Sequence, residues 1–206
     1  MAALYCFSTI LTLLLGGTQD DCMAGRPKIG ARKHRRLVLL DFDDTIVLNY
    51  YARKAAAKEV TGRSMREPEI RRLERQIKSQ VYHLAATKYM TMMIPNRKVI
   101  SMIEREKAKK EVIILTARLS NIEDETRSLL KKYSIAYDRL IMRDVSLEHM
   151  EYAVWKTREI KRLLSSYERI YLYEDRLDNI KHFRAKFGDS KIRYFHVVKS
   201  SISQID

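Results

Sequence analysis

From residue 37 onward, short apolar runs alternate with longer segments in which apolar residues recur at helical spacing. Runs of this kind, with no polar face, are typical of strands buried on both sides of a parallel sheet. They are LVLL (37–40), VIIL (112–115), RLIM (139–142), IYLY (170–173) and IRYFHVV (192–198). Strands and helices in alternation predict an α/β fold, with a parallel sheet of about five strands and helices on both faces.

The segment between the first two predicted strands carries a longer helical pattern. Its apolar side chains fall on one stripe, formed by Ile70, Leu73, Ile77, Val81 and Leu84. Pro68 suits the first turn of a helix, so we predict one helix over residues 67–84 within a small helical insertion at about 48–95. The other faces of this helix are basic, which favours either solubility or contact with a polynucleotide backbone. Its cations are Arg71, Arg72, Arg75 and Lys78.

Composition narrows the functional classes. The 206 residues are enough for one domain with a sizeable core, and 40 Lys and Arg against 26 Asp and Glu give a formal net charge of +14. Such an excess favours polyanionic partners, nucleic acid above all. Cys6 and Cys22 both precede the first predicted strand, and the histidines lack metal-ligand spacing. We therefore expect neither a disulfide framework nor a zinc site in the folded region.

Residues 1–36 are predicted to be an extension outside the folded domain, which we place at 37–206. The apolar stretch at 3–17 is shorter than the roughly 20 residues of a membrane-spanning helix, so no stable membrane span is expected. Its length suits a signal peptide, but no Lys or Arg precedes it. The basic segment 26–36 could be a nuclear signal, a nucleic-acid-binding arm or a solvated tail. An intracellular protein, mitochondrial or nuclear included, is favoured over a secreted one.

Polar residues follow four of the predicted strands, and the carboxyl ends of parallel strands meet at one edge of a sheet. They are Asp41, Asp43, Asp44 and Thr45, then Thr116 and Arg118 on either side of Ala117, then Arg143 and Asp144, and finally Glu174, Asp175 and Arg176. Crowded carboxylates repel one another and need a counter-ion. Oxygen ligands without cysteine or histidine predict Mg²⁺ shared with a substrate phosphate. The pattern indicates phosphoryl transfer, which requires positioning and neutralisation of charge.

Four motifs in order resemble those of the haloacid dehalogenase (HAD) superfamily of aspartate-nucleophile phosphatases. DFDDT (41–45) resembles the DxDx[TV] first motif, and VIILTAR (112–118) resembles the second. VWKTREI (154–160) resembles the lysine-bearing third motif, and YLYEDRLDN (171–179) resembles the acidic fourth motif. The resemblance spans residues 37–179 and implies a Rossmann-like HAD fold with a helical cap over the site.

The resemblance also implies a role for each matching residue. Asp41 would be the nucleophile and Asp43 the general acid and base, while Thr116 and Lys156 would bind the phosphoryl group. The implied Mg²⁺ ligands are Asp41, the backbone carbonyl of Asp43, Glu174 and Asp175. Asn179 would support the site or the metal water, and Thr45 is a further candidate for substrate binding. Arg118 and Arg143 are candidates for contact with a phosphate or a nucleic-acid backbone because they stand at strand ends. Alternatives stay open at three points. Thr116 could have no role beyond capping the next helix, and Lys161 rather than Lys156 could be the lysine of the third motif. The two arginines could be surface charges.

Finer details resemble one branch of the superfamily. LTAR, YDRLIMRD and WK resemble the phosphatase half of phage-type polynucleotide kinase–phosphatases, and LYEDR with Phe183 resembles the HAD domains of Swiss Army Knife RNA-repair proteins. This implies RNA or DNA ends, or nucleotides, as substrates. The chain departs from the pattern because it lacks GxxxxGK[ST], and because Asp44 and Asn179 stand where Gly and His are usual. A small-metabolite phosphatase and a catalytically silent scaffold in an RNA- or ribosome-containing assembly remain as alternatives.

Overall fold

A six-stranded sheet forms the centre of the computed structural model, which describes residues 36–205; the predictions for residues 1–35 lie outside this range. The strands are β1 (Arg36–Leu40), β2 (Val47–Leu48), β3 (Ile94–Pro95), β4 (Glu111–Leu119), β5 (Arg139–Arg143), β6 (Arg169–Glu174), β7 (Ile192–Val198) and β8 (Ser201–Ile205). The sheet order is β5-β4-β1-β6-β7-β8, and all neighbours are parallel except β7 and β8. Strands β2 and β3 form a separate antiparallel pair.

Seven α-helices surround the sheet within the described range. They are α1 (Tyr50–Thr61), α2 (Glu67–Arg71), α3 (Arg75–Ala86), α4 (Arg97–Lys107), α5 (Glu123–Lys132), α6 (Tyr152–Leu164) and α7 (Leu177–Phe187). None of these helices is long and apolar enough to cross a bilayer. The predicted α/β fold, with its largely parallel sheet, is confirmed.

The core has one apolar layer on each face of the sheet, and β1 contributes to both. Leu37 and Leu39 are buried in one layer with Trp155 of α6. Val38 and Leu40 are buried in the other, with residues of α4 and α5. Each such side chain contributes about 1.5–3 kcal/mol when it is fully buried. Burial on both faces explains why β1 has no polar side.

The helical insertion, by which we mean residues 50–86 (α1–α3), corrects one prediction. We expected a single helix over residues 67–84, but the helix ends at Arg71 and a new one begins at Arg75. Between them, Glu74 has extended backbone (φ −51°, ψ 149°). The break lets Glu67 of α2 reach Arg53 of α1 while α3 packs along α1. One straight helix could not make both contacts.

Strand β8 was not predicted, since its sequence, SISQI, is mostly polar. It lies at the edge of the sheet and pairs with β7 alone, so it needs few apolar side chains. The turn before it contains Lys199 at φ 53°, in the left-handed region. Asn96 donates to the carbonyl oxygens of Lys199 (2.6 Å) and Thr45 (2.9 Å), and so connects this turn to the loop after β1.

Candidate active site

The loop after β1 brings two aspartates to the carboxyl edge of the sheet. The backbone N–H of Asp41 donates to the carbonyl of Tyr173 in β6 (2.9 Å), which places Asp41 beside the end of that strand. The chain then turns sharply, and the N–H of Asp44 donates to the carbonyl of Val47 (2.6 Å). Asp44 has φ 62°, a left-handed conformation that Asp tolerates better than most residues. Asp44 can therefore stand where the first motif that this sequence resembles often has Gly.

Lys156 of α6 lies at the centre of the site. Its Nζ is 2.8 Å from Oδ1 of Asp41 and 2.8 Å from Oε2 of Glu174. Burial opposes the positive charge of Lys156, but the two carboxylates outweigh it and raise the pKa of this lysine. The other oxygen of Glu174 accepts from Nδ2 of Asn179 (2.9 Å). Lys161, the alternative lysine, is exposed to solvent, so the geometry favours Lys156.

Three carboxylates converge around this lysine. Oxygen atoms of Asp41, Glu174 and Asp175 all lie within 4.8 Å of one another. Burial raises the pKa of Asp41 to about 7, helped by Glu174 and opposed by Lys156. Burial, Asp41 and Glu174 likewise raise the pKa of Asp175. Three acids around one ammonium leave an excess of negative charge, and a set of oxygen donors alone suits Mg²⁺.

Asp43 has a different environment, dominated by cations. Arg118 of β4 binds it in a fork, with Nη2 2.8 Å from Oδ1 and Nε 3.0 Å from Oδ2. The side-chain amide of Asn49 also donates to Oδ1. Burial opposes the charge of Asp43, but Arg118, Asn49 and Arg53 together lower its pKa. Asp43 is therefore an ionised acceptor at neutral pH, whereas Asp41 holds a proton more readily.

An ion bridge connects the loop after β1 to the helical insertion. Arg53 of α1 is 3% exposed, and its Nη2 lies 2.7 Å from Asp44 and 3.0 Å from Glu67 of α2. Sequence reasoning missed Asn49 and Arg53. Asn49 carried a weak signal as a polar residue before a helix, a position that favours Asn. Arg53 carried none, because its importance depends on how α1 and α2 pack together.

A cleft of about 260 Å³ opens between the carboxyl edge of the sheet and the helical insertion. The predicted site residues on its wall are Asp41, Asp43, Arg118, Arg143, Lys156, Glu174, Asp175 and Asn179. The helical insertion adds Arg71, Lys78 and Tyr82, whereas Arg72 and Arg75 do not line the cleft. The convergence expected at the strand ends is thus present for most of the predicted set.

The two predicted threonines lie behind the cleft wall rather than on it. Thr45 and Thr116 are both fully buried and do not line the cleft. Oγ1 of Thr116 accepts the backbone N–H of Arg118 (3.2 Å), two residues further on. This contact orients the backbone of Arg118 at the irregular end of β4, where the register with β5 shifts between Thr116 and Leu119. Oγ1 of Thr45 has no hydrogen-bond partner within the described range.

Comparisons with known proteins identify the fold. No protein-family model and no curated protein matches the sequence. Among solved structures, a chain of the Pnkp1/Rnl/Hen1 RNA repair complex is 20% identical with TM-score 0.54, and the match covers 81% of this chain and 43% of that one. A second structure of the Pnkp1/Rnl/Hen1 complex gives 20% identity, TM-score 0.53 and coverages of 80% and 45%. This chain therefore spans less than half the length of those chains.

A third structure, a HAD-superfamily hydrolase of subfamily IA from Geobacter sulfurreducens, is 13% identical with TM-score 0.52. The match covers 78% of this chain and 88% of that one. At these identities the likeness concerns the fold. The HAD fold that the sequence motifs predicted is confirmed, and it is shared with a chain of an RNA repair complex.

Proposed function

We propose that this protein is a Mg²⁺-dependent phosphatase that forms an aspartyl-phosphate on Asp41. The observation that carries this proposal is the placement of Asp41, 2.8 Å from the ammonium of Lys156 and within 4.8 Å of the Glu174 and Asp175 oxygens. A carboxylate nucleophile, a fixed cation and an oxygen-donor cluster together supply what phosphoryl transfer needs. Bound Mg²⁺ would be held by Asp41, Glu174 and Asp175, and would neutralise charge on the phosphoryl oxygens.

The proposed reaction has two displacements at phosphorus. A carboxylate oxygen of Asp41 attacks the phosphorus in line, and the bond from phosphorus to the substrate oxygen breaks. The departing oxygen takes a proton and the product alcohol leaves. Water then attacks the same phosphorus, loses a proton, and restores the Asp41 carboxylate as inorganic phosphate leaves. Lys156 stabilises negative charge on the phosphoryl group in both steps.

Asp43 is the proposed donor of that first proton and the acceptor of the second. In the substrate-free protein it is bound by Arg118 and Asn49, which keep it ionised. We propose that a substrate phosphoryl group takes over the guanidinium of Arg118, so that Asp43 is released and becomes easier to protonate. Thr116, which holds the backbone of Arg118, would act through that arginine.

Nucleic-acid ends, or nucleotides, are the proposed substrates. The chain carries a net charge of +14, and the cleft wall contains basic side chains beyond those around Asp41 and Asp43. They are Arg71, Lys78, Arg143 and Arg176. A groove of this charge suits an anionic backbone leading to a terminal phosphate. The fold shared with a chain of the Pnkp1/Rnl/Hen1 RNA repair complex supports the same substrate class.

The test measures phosphate release from a 3′-phosphorylated oligonucleotide and from an aryl phosphate, with and without Mg²⁺. Asp41→Asn tests the nucleophile, and Asp178→Asn, an exposed acid in the first turn of α7, is the matched control. Release from the oligonucleotide that only Asp41→Asn abolishes would support the proposal. Release from the aryl phosphate alone would indicate a small-metabolite phosphatase. With no release from either substrate, a silent scaffold in an RNA-containing assembly would become the better interpretation.

A further inference from the structure

Arg143 is a buried guanidinium on the wall of the cleft, at the carboxyl end of β5. It is 3% exposed. Removing a charge from water costs several kcal/mol unless a partner of opposite charge compensates. The partners of Arg143 therefore indicate whether the protein itself supplies that compensation or whether a ligand is needed.

Within residues 36–205, Arg143 has no carboxylate at ion-pair distance, and its charge is only partly offset by Tyr152 and the more distant Glu148. Nη1 donates to the carbonyl oxygen of Met150 (2.8 Å), and the guanidinium carbon lies 4.6 Å from the ring centroid of Tyr152. Nε is buried without a hydrogen-bond partner, and no carboxylate within residues 36–205 forms an ion pair with Arg143. Glu148, an acid whose charge acts on Arg143, forms no ion pair with it and accepts a hydrogen bond from Ser79 (2.9 Å). Burial lowers the pKa of Arg143, and the opposing effects of Tyr152 and Glu148 do not restore it.

The position of Arg143 in the sheet separates it from the reacting centre. Strand β5 is two places from β1 in the sheet order. Neighbouring strands lie about 4.8 Å apart, so the ends of β5 and β1 are separated by about 10 Å. Asp41 and Lys156 occupy the β1 side of the same cleft. A group bound at Arg143 would thus lie beside the reacting phosphate rather than replace it.

The helical insertion helps to build the surroundings of Arg143. The guanidinium of Arg75 in α3 donates to the backbone carbonyl of Glu148 (2.8 Å), and Ser79 donates to its carboxylate. These contacts hold the loop between β5 and α6 on which Met150 lies. Arg143 is therefore fixed by its own strand, by the ring of Tyr152 and by a loop that α3 holds in place.

From these observations we infer that Arg143 and Tyr152 form a second anion subsite, which binds a phosphate of the substrate that is not hydrolysed. This inference rests on the proposed phosphatase function and deepens it. The ligand group is either the phosphodiester next to a terminal phosphate or the second phosphate of a nucleoside bisphosphate. Either group supplies a negative charge to pair with the guanidinium of Arg143, which lines the cleft.

The test compares Michaelis constants for a nucleoside 3′-monophosphate, a nucleoside 3′,5′-bisphosphate and a 3′-phosphorylated dinucleotide. Arg143→Met should raise KM about 10- to 100-fold for substrates with a second phosphate, because one charge-assisted contact is lost. KM for the monophosphate and kcat for all three should stay within about threefold. Arg139→Met, at the exposed amino end of the same strand, is the control and should change nothing. A response of the dinucleotide alone identifies a diester as the ligand, and a response of both identifies any second phosphate.

A second variant guards against a folding defect. Arg143→Lys keeps the charge and most of the side-chain stem. Its KM for substrates with a second phosphate should lie between the values of the parent and of Arg143→Met. Equal KM changes for all three substrates, or none for the substrates with a second phosphate, would overturn the subsite.

Binding separates this inference from the proposed function. Calorimetry in the Asp41→Asn background compares adenosine 3′,5′-bisphosphate with adenosine 3′-monophosphate. Tighter binding of the bisphosphate that Arg143→Met removes would establish the subsite even if the parent protein hydrolyses nothing, and only the proposed function would then fail. Hydrolysis by the parent without any such preference would leave the function intact and refute the subsite.

Discussion

Arg118 of β4 holds the carboxylate of Asp43 in a fork, with Nη2 2.8 Å from Oδ1 and Nε 3.0 Å from Oδ2. The Arg118 side chain is 4% exposed, so it depends on Asp43 for compensation of its charge. Asp41, two residues earlier, is in the opposite situation, because burial makes its ionised form unfavourable. The two aspartates of one motif should therefore affect stability in opposite directions.

Asp43→Ala should destabilise the protein. The substitution leaves Arg118 buried without a partner, which costs about 3 kcal/mol in the free energy of unfolding. Urea denaturation at neutral pH measures the loss. Because the folded protein lowers the pKa of Asp43, the stabilisation is present at neutral pH and disappears as the pH falls through that lowered pKa. The double variant Asp43→Ala/Arg118→Met should recover part of the stability; a loss no larger than that of exposed Asp178→Ala would contradict the prediction.

Asp41→Asn should abolish turnover without destabilising the metal-free protein. Loss of the nucleophile should reduce kcat by at least about 1000-fold. Since burial raises the pKa of Asp41 to about 7, its contribution to stability is full below its ordinary pKa and disappears as the pH rises to about 7. Above that pH the Asn variant should unfold at an equal or higher urea concentration than the parent. A clear drop in its stability at pH 8 would show that ionised Asp41 is stabilising.

Lys156→Met and Lys161→Met should differ sharply. Of these two lysines, Lys156 is the one that contacts Asp41 and Glu174, and its removal leaves buried carboxylates without their cation. We expect kcat/KM to fall at least about 100-fold, because a group that stabilises developing negative charge is lost. Lys161 is exposed, and its substitution should change kcat/KM less than about twofold. Similar losses of kcat/KM in both variants would show that Lys156 is wrongly assigned as the lysine of the third motif.

Mg²⁺ binding should strengthen as the pH rises. Metal ligands must be deprotonated, and the metal-free fold raises the pKa of Asp41 to about 7 and of Asp175 to about 9. Calorimetry in two buffers of different ionisation enthalpy should show proton release on binding between about pH 6 and pH 9. Asp175→Asn should weaken binding and reduce the number of protons released. Affinity that stays constant across this range would contradict the raised pKa values.

Much of the fold and site could be predicted because strand ends are visible in the sequence. Residues such as Asp41 and Glu174 follow apolar runs, and parallel strands bring those positions to one edge. Features that depend on packing between helices could not be predicted. Arg53 matters only because α1 and α2 place it between Asp44 and Glu67. Similarly, no local pattern shows that Thr45 points into the interior.

The hydrogen bonds of Asn96 determine how late in synthesis the loop that carries the nucleophile becomes fixed. Its side chain binds the carbonyls of Thr45 and Lys199 together, although these residues are far apart along the chain. All four motifs have been synthesised by residue 179, yet the loop that carries the nucleophile still lacks this support. During translation, a nascent chain would therefore contain every reactive group some twenty residues before its nucleophile loop is fixed. Truncation before residue 199 should yield a chain that has all four motifs but a poorly held active site.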